Sequence, residues 1–197
     1  MSYSQGREEA VILRFFKHAK VGRFLDVGAY DGVFLSNTRA LAELGWGGVV
    51  VDASPLAYAA LQRTYRERAD VDCVLAAVTP SDVGPTIELN ESADALSTTD
   101  EANRVKWAPT AGFRKVTVPA LSAAELARRF PGPYDFVNVD TEGTSIAVAK
   151  ALPLADLGVR ALCVEHDGHY RELVDQLCGD GWAIIHLDDL NLIVGHP

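Results

Sequence analysis

The sequence predicts an α/β fold, a mostly parallel sheet with helices on both faces, and three observations carry that prediction. Short apolar runs alternate with amphipathic segments along the whole chain, the pattern of strands joined by crossover helices. The first run, Phe24-Leu25-Asp26-Val27, breaks into Gly28-Ala29-Tyr30-Asp31-Gly32 and enters a helical pattern. Glycines in such a turn let the backbone come close to a ligand. Acids close the runs at Asp26, Asp52, Asp140 and Glu165, and a parallel sheet binds ligands outside the carboxyl ends of its strands.

The elements follow in order. Residues 7–19 repeat apolar positions at helical spacing (Ala10, Leu13, Phe16), so residues 1–20 hold an N-terminal helix. After the glycine turn, Phe34, Thr38, Leu41 and Leu44 mark one helix face, and Gly45 stops it. Gly47 to Asp52 is the second strand. Ser54 before Pro55 caps a helix through Arg68. Val71 to Val78 is the third strand. Thr86–Leu89 and Lys115–Pro119 read as strands around an irregular stretch. That stretch, residues 90–114, is polar apart from residues such as Trp107, and reads as a lid or substrate loop.

Ser122-x-x-Glu125 is a capping box opening a short helix. Tyr134–Asp140 is a strand, Gly143–Leu152 a helix, Val159–Glu165 a strand and Tyr170–Cys178 a helix. Trp182–Leu187 and Leu190–Val194 form a closing hairpin. With no repeat and no linker, residues 1–197 read as a single domain.

Composition narrows the function classes. The 197 residues are 48% hydrophobic and 23% charged, with a net charge of −9. The densest basic stretch, Arg63 to Arg68, lies on one helix face, so a nucleic-acid partner is not expected. Cys73, Cys163 and Cys178 are far apart and form no C-x-x-C, which reads as reduced thiols in a cytoplasmic protein. No signal peptide or long apolar span is visible, so neither export nor membrane insertion is expected. Oligomeric state leaves no mark in the sequence.

The opening turn also narrows the ligand. Asp26 has the wrong charge for a phosphate and the right one for a cation. The dinucleotide fingerprint needs G-x-G-x-x-G, whereas Gly28 and Gly32 enclose three residues and Tyr30 occupies the second glycine position. S-adenosylmethionine (SAM), with its ammonium, sulfonium and ribose hydroxyls, fits better than a dinucleotide.

Three further motifs join this turn. They are Ser36-Asn37-Thr38, Gly45-Trp46-x-Gly48 with Asp52 and Pro55, and Asp135 to Gly143 with its Asp140-Thr141-Glu142-Gly143. Together they resemble the FkbM family of SAM-dependent methyltransferases, from about Phe24 to the final hairpin. The resemblance implies a Rossmann-like class I methyltransferase fold. Its sheet would have seven strands in the order 3-2-1-4-5-7-6, only the last-inserted strand being antiparallel. It also implies O-methylation of a small-molecule acceptor, a sugar or natural product. The chain departs from the family at Asp52-Ala53, where Glu-Pro is usual, and at Ser145, where Glu is frequent.

The resemblance assigns roles. Asp26, with Gly28, Ala29, Tyr30 and Asp31, would hold the methionine end of SAM, and Ser36 and Asn37 would face the cleft. Asp52, with Ala53 beside it, would accept the ribose hydroxyls. Ala76 and Ala77 would flank adenine, and Asp140 would orient cofactor or acceptor. For catalysis, His166 is the candidate general base, with Asp140 and Glu165 beside it. The alternative is a metal site in which Asp140, Glu165 and His166 hold Mg²⁺ or Mn²⁺. Glu142 opens the following helix, where its charge suits the helix dipole. Two other readings stay open: a NAD-dependent oxidoreductase using Asp52 for a ribose, and a SAM- or nucleotide-binding module without catalysis.

Overall fold

The structure, a computed structural model, describes residues 2–196. The first half runs α1 (Glu8–Phe15), β1 (Arg23–Val27), α2 (Arg39–Leu44), β2 (Gly47–Asp52), α3 (Pro55–Thr64), β3 (Val71–Leu75), β4 (Ala77–Thr79) and β5 (Thr86–Ser92). The second half runs α4 (Glu101–Trp107), β6 (Phe113–Ser122), α5 (Ala123–Arg129), β7 (Phe136–Val139), α6 (Ser145–Ala151), β8 (Ala161–Glu165), α7 (Arg171–Gly179), β9 (Ala183–Leu187) and β10 (Asn191–Gly195). No helix among the described residues is long and apolar enough to cross a membrane.

The main sheet has seven strands in the order β3-β2-β1-β7-β8-β10-β9. This is the expected order, and β10 is the strand antiparallel to both neighbours, β8 and β9. The central strands are covered on both faces, which is why they read as continuous apolar runs. Leu25 and Val27 pair in register with Val49 and Val51 on one side and with Val137 and Val139 on the other. These residues, with Leu162 and Val164, form one core against Leu126, Val148 and Leu173 of α5, α6 and α7. The alternate residues Phe24, Val50, Phe136 and Cys163 face the opposite way and pack on Ile12 and Leu41 of α1 and α2. The two-residue period of a strand therefore sends Asp26 and Asn138 to the α1–α2 face, below the strand ends.

Helix ends follow local chemistry. Ser54 is the N-cap of α3 and accepts from the Leu56 and Ala57 amides. Ser122 caps α5 through the Glu125 amide. Gly45 ends α2 with φ +107, a left-handed turn that lets the Trp46 amide reach back to the Leu41 carbonyl. The Trp46 indole then donates to Ala19 O at 2.7 Å, fastening α2 to the chain before β1.

Three expectations are corrected here. Residues 34–38, expected to open the helix, are not helical, and α2 starts only at Arg39. Leu35 has φ of 56°, which a right-handed helix excludes, and Phe34 is 59% exposed. The third strand is split at Ala76: β3 stays in the main sheet, while β4 joins a second, three-stranded sheet ordered β4-β6-β5. The irregular stretch is also shorter than residues 90–114, because β5 runs on to Ser92 and β6 starts at Phe113. Between them lies α4, capped by Asp100, whose carboxylate accepts from Asn103 N at 2.7 Å.

One buried acid ties the second sheet to the first. The Glu91 side chain on β5 is fully buried. It accepts from Ser54 Oγ at 2.8 Å and from the Leu56 amide, and it pairs with Arg114 on β6. Burial alone would raise its pKa, but the Ser54 and Arg114 hydrogen bonds override that and hold it below the usual value. Replacing Glu91 by Ala should therefore cost about 1–3 kcal/mol, because the N-terminus of α3 loses a buried acceptor. Chemical denaturation of the folded variant would measure the loss, and a change within error would remove Glu91 as the tie.

Candidate active site

A single cleft opens at the carboxyl ends of the central strands. Its floor is the strand ends, including Glu165 of β8, and the loops after β1, β2, β3 and β7, and its far wall is β4 with Leu89 of the second sheet. Asp26, Gly28, Ala29, Tyr30, Ser36, Asn37, Asp52, Ala53, Ala76, Ala77, Asp140 and Glu165 all line it. Folding thus gathers twelve expected positions into one cavity. Asp31 and His166 are not among the lining residues.

Gly28 shows how tightly the first loop is packed. It has φ +87, and a Cβ built there would sit 1.6 Å from the Asp140 carbonyl oxygen. Only glycine lets the turn after β1 pass over the end of β7. The Gly28 and Ala29 amides donate to Val51 O at 2.9 and 3.0 Å. The Tyr30 amide donates to Asp52 Oδ2 at 2.8 Å, and the Ser54 amide to Asp52 Oδ1 at 2.8 Å. Each Asp52 oxygen keeps a further lone pair for a ligand hydroxyl. Burial pushes the Asp52 carboxyl up to about 7.

Asp26 is 1% exposed. Thr38 Oγ1 donates to one carboxylate oxygen at 2.5 Å, and Asn138 Nδ2 to the other at 2.9 Å. Burial still raises its pKa against these bonds. Ser36 and Asn37 precede α2 rather than lying on its first turns, and both are 6% exposed.

Asp140, Glu142 and Glu165 form a cluster whose carboxylate oxygens lie within 4.8 Å of one another. Burial and the mutual repulsion of three acids push all of them up. Glu142 is raised to about 7 by burial and by Glu165. Asp140 is raised by burial and by the Glu142 charge, and Glu165 by burial and by the Asp140 charge. Glu165 Oε2 is buried with no hydrogen-bond partner among the described residues. No Lys or Arg lines the cleft; the Lys106 ammonium, which acts on Glu142 and Glu165 from outside it, is paired with Asp167.

The loop around α4 latches onto this cluster from outside. Asn103 Nδ2 donates to Glu142 Oε2 at 3.0 Å, Thr98 Oγ1 to Glu142 O at 2.6 Å, and Lys106 pairs with Asp167 at 2.9 Å. Trp107 does not line the cleft; the Lys106 ammonium sits 5.0 Å above its ring. Glu142 and Asp167 have φ of 50° and 45°, conformations held against their intrinsic cost where the lid meets the strand ends.

Two expected residues take other places. His166 is 4% exposed and both ring nitrogens bond the backbone. Nδ1 accepts from Gly168 N at 2.9 Å, so Nε2 carries the proton and donates to Asp188 O at 3.0 Å. The His166 ring thus holds the loop after β8 from outside the cleft and is not part of the acid cluster. The Asp31 carboxylate accepts from the Val33 and Phe34 amides at 2.8 and 2.7 Å and shapes its own turn. Ser145, where the family often has Glu, accepts from Thr141 N at 2.8 Å and fixes the loop after β7.

Sequence reasoning missed Asn138 and gave Glu142 only a helix-dipole role. The signal for Asn138 was present: it lies two residues before Asp140 and so shares its strand face. Asp94, Ser97 and Thr99 also line the cleft, from inside the stretch expected to carry acceptor contacts.

The methyltransferase FkbM domain matches residues 26–180, and no curated protein sequence matches. Among solved structures, the chain is similar to the methyltransferase FkbM from Methylobacillus flagellatus KT. The identity is 10% and the TM-score 0.56, over 90% of this chain and 44% of that one. It is also similar to a putative caffeoyl-CoA O-methyltransferase from Staphylococcus aureus, with 9% identity and a TM-score of 0.52 over 100% and 86% of the two chains. A fibrillarin pre-rRNA processing protein from Methanococcus jannaschii aligns at 14% identity and a TM-score of 0.49 over 90% and 66%. The chain thus spans under half of the Methylobacillus protein and just under two thirds of the fibrillarin. At these identities the likeness is one of fold.

The raised carboxyls fix the sign of a pH effect. Asp52 and Glu142 bind protons more tightly when folded than when unfolded. Their stabilisation is complete below about pH 4 and is lost as pH rises through about 7. The ligand-free protein should melt at a higher temperature at about pH 5 than at about pH 8, and Glu165→Gln should flatten that slope. Thermal melts across the range measure it, and a melting temperature that rises with pH would contradict the burial of these acids.

Proposed function

The chain belongs to the FkbM methyltransferase family and is a SAM-dependent methyltransferase, and from that premise we propose that it methylates a hydroxyl of a small-molecule acceptor. The observation that carries this reading is the polarity of the cleft. One end is walled by Ala53, Ala76, Ala77 and Val78, and the other by Asp26, Asp140, Glu142 and Glu165. The apolar end suits a flat adenine, Asp52 between the two suits the ribose hydroxyls, and the acid end suits the ammonium and sulfonium. SAM would supply a counter-charge inside the cleft. A dinucleotide would set its phosphates against the same acids, which disfavours the oxidoreductase reading.

Methyl transfer needs the acceptor oxygen in line with the methyl–sulfur bond. The oxygen forms a bond to the methyl carbon, the carbon–sulfur bond breaks, and its electron pair stays on sulfur as a neutral thioether. The hydroxyl proton must leave, and the Asp140–Glu165 pair is the acceptor we assign. The burial and crowding that raise both carboxyls make each a stronger proton acceptor than an ordinary carboxylate. With His166 held elsewhere, the general base moves from histidine to this pair.

The acceptor itself is read as a neutral or cationic small molecule carrying a hydroxyl, such as a sugar. A cleft without Lys or Arg offers nothing to a phosphate backbone, so nucleic acid is not the proposed substrate. Asp140, Glu142 and Glu165 also offer the oxygen ligands that Mg²⁺ or Mn²⁺ prefer, now without the histidine that would have favoured a transition metal. The carboxylate-base reading needs no metal.

Two outcomes are expected. Asp52→Ala should weaken SAM binding by at least ~1.5 kcal/mol, since hydrogen bonds to a charged acceptor contribute about 1.5–3 kcal/mol. Calorimetry that finds unchanged affinity in the folded variant would remove Asp52 from the ribose site. Turnover to S-adenosylhomocysteine should survive exhaustive chelation, stay near wild type in His166→Gln and fall at least ~100-fold in Asp140→Asn, in the range of general-base catalysis. Activity that vanishes on chelation and returns with Mg²⁺ or Mn²⁺ would replace the carboxylate base with a metal.

A further inference from the structure

We infer that Asn37 binds the methionine ammonium of SAM through its side-chain carbonyl oxygen, left without a protein partner by a relay that starts at Asp26. The inference rests on the reading of the cleft as a SAM site. It begins with an atom that lacks a partner: Asn37 is 6% exposed, it lines the cleft, and its Oδ1 is buried with no hydrogen bond among the described residues. Buried polar atoms are almost always satisfied, so an orphan beside a cavity points to a missing ligand.

With Asp26 ionised, the relay fixes which atom is orphaned. A carboxylate accepts only, so Asn138 must turn its amide nitrogen toward Asp26 Oδ1, at 2.9 Å. That leaves Asn138 Oδ1 facing Asn37, which must answer with its own nitrogen, at 3.0 Å. The same nitrogen reaches Cys163 Sγ at 3.6 Å, so both Asn37 donors have partners. Rotating either amide would set like atoms face to face. Asp26, itself sealed from water and held by Thr38, thus dictates that an oxygen and not a nitrogen is left over two side chains away.

The position selects the ligand group. Asn37 lies with Asp26, Asn138 and Asp140 at the acid end of the cleft, opposite the alanine-walled end. SAM extends its adenine amine and ribose hydroxyls toward the far end. The donor it brings to the acid end is the ammonium. A cation bonded to a neutral carbonyl is held in place without a further buried acid.

The test uses two neutral-sulfur probes that differ only at that end. S-adenosylhomocysteine and 5′-methylthioadenosine share adenine, ribose and thioether, but the second lacks the amino-acid group. Calorimetry on the wild type and Asn37→Leu should show S-adenosylhomocysteine weakened at least ~10-fold while 5′-methylthioadenosine stays within about twofold. Thr38→Val, which disturbs the same network at Asp26 and leaves the Asn37 oxygen in place, should change both ligands alike or neither. If Asn37→Leu does not fold, Asn37→Ala is read on the same ratio of affinities. A ratio that matches wild type overturns the inference, whether both affinities fall together or neither moves. A selective loss in Thr38→Val as large as in Asn37→Leu also overturns it. If the wild type binds neither probe, the cofactor reading itself falls; if it binds both and only the ratio fails, the cofactor site stands without Asn37.

Discussion

The carboxylate of Asp26, sealed inside the end of the central strand, constrains everything around it. A charge removed from water must be hydrogen-bonded or it destabilises the fold. Its two oxygens take Thr38 from the chain before α2 and Asn138 from β7. Those bonds fix how the loop after β1 crosses toward β7, and the crossing is so close that position 28 admits no side chain. From there the order propagates. The same loop places the Tyr30 amide on Asp52, and Asn138 orients Asn37. A cofactor cleft results from a burial problem solved locally.

The acid cluster at the other strand ends shows the opposite state. Asp140, Glu142 and Glu165 are crowded together without a cation lining the cleft beside them. The chain retains this arrangement although it raises the free energy of the ligand-free state at neutral pH, which is common where function needs charge in a fixed place. A cationic cofactor relieves the repulsion, so binding and stability are coupled through the same groups.

The second sheet gives the site its outer wall. Glu91 fastens β5 to the start of α3, and Asn103, Thr98 and Lys106 fasten the loop around α4 to the residues after β7 and β8. The lid is thus held at both ends by polar contacts rather than by a large apolar interface. Of these contacts the partly exposed Lys106–Asp167 pair is individually weak, whereas the Glu91 contacts are buried and hold the wall more firmly.

The sequence by itself determined the layered architecture, the order of elements and the strand ends at which the site lies. Those features follow from period and punctuation: valine runs, glycine stops at Gly45, caps at Ser54 and Ser122, and acids closing strands. It also marked Asp26, Asp52, Asp140 and Glu165, because an acid ending an apolar strand is visible without coordinates. What it left open depends on which atoms meet across the fold. His166 and Asp31 looked as available as their neighbours until backbone partners, 22 residues from His166 and two and three from Asp31, were seen to occupy them. Asn138 and Asn37 gained meaning only when positions 101 residues apart were brought together. The break at Ala76 was hidden for the same reason: an apolar run states that a segment is buried, and only the tertiary structure decides which sheet buries it.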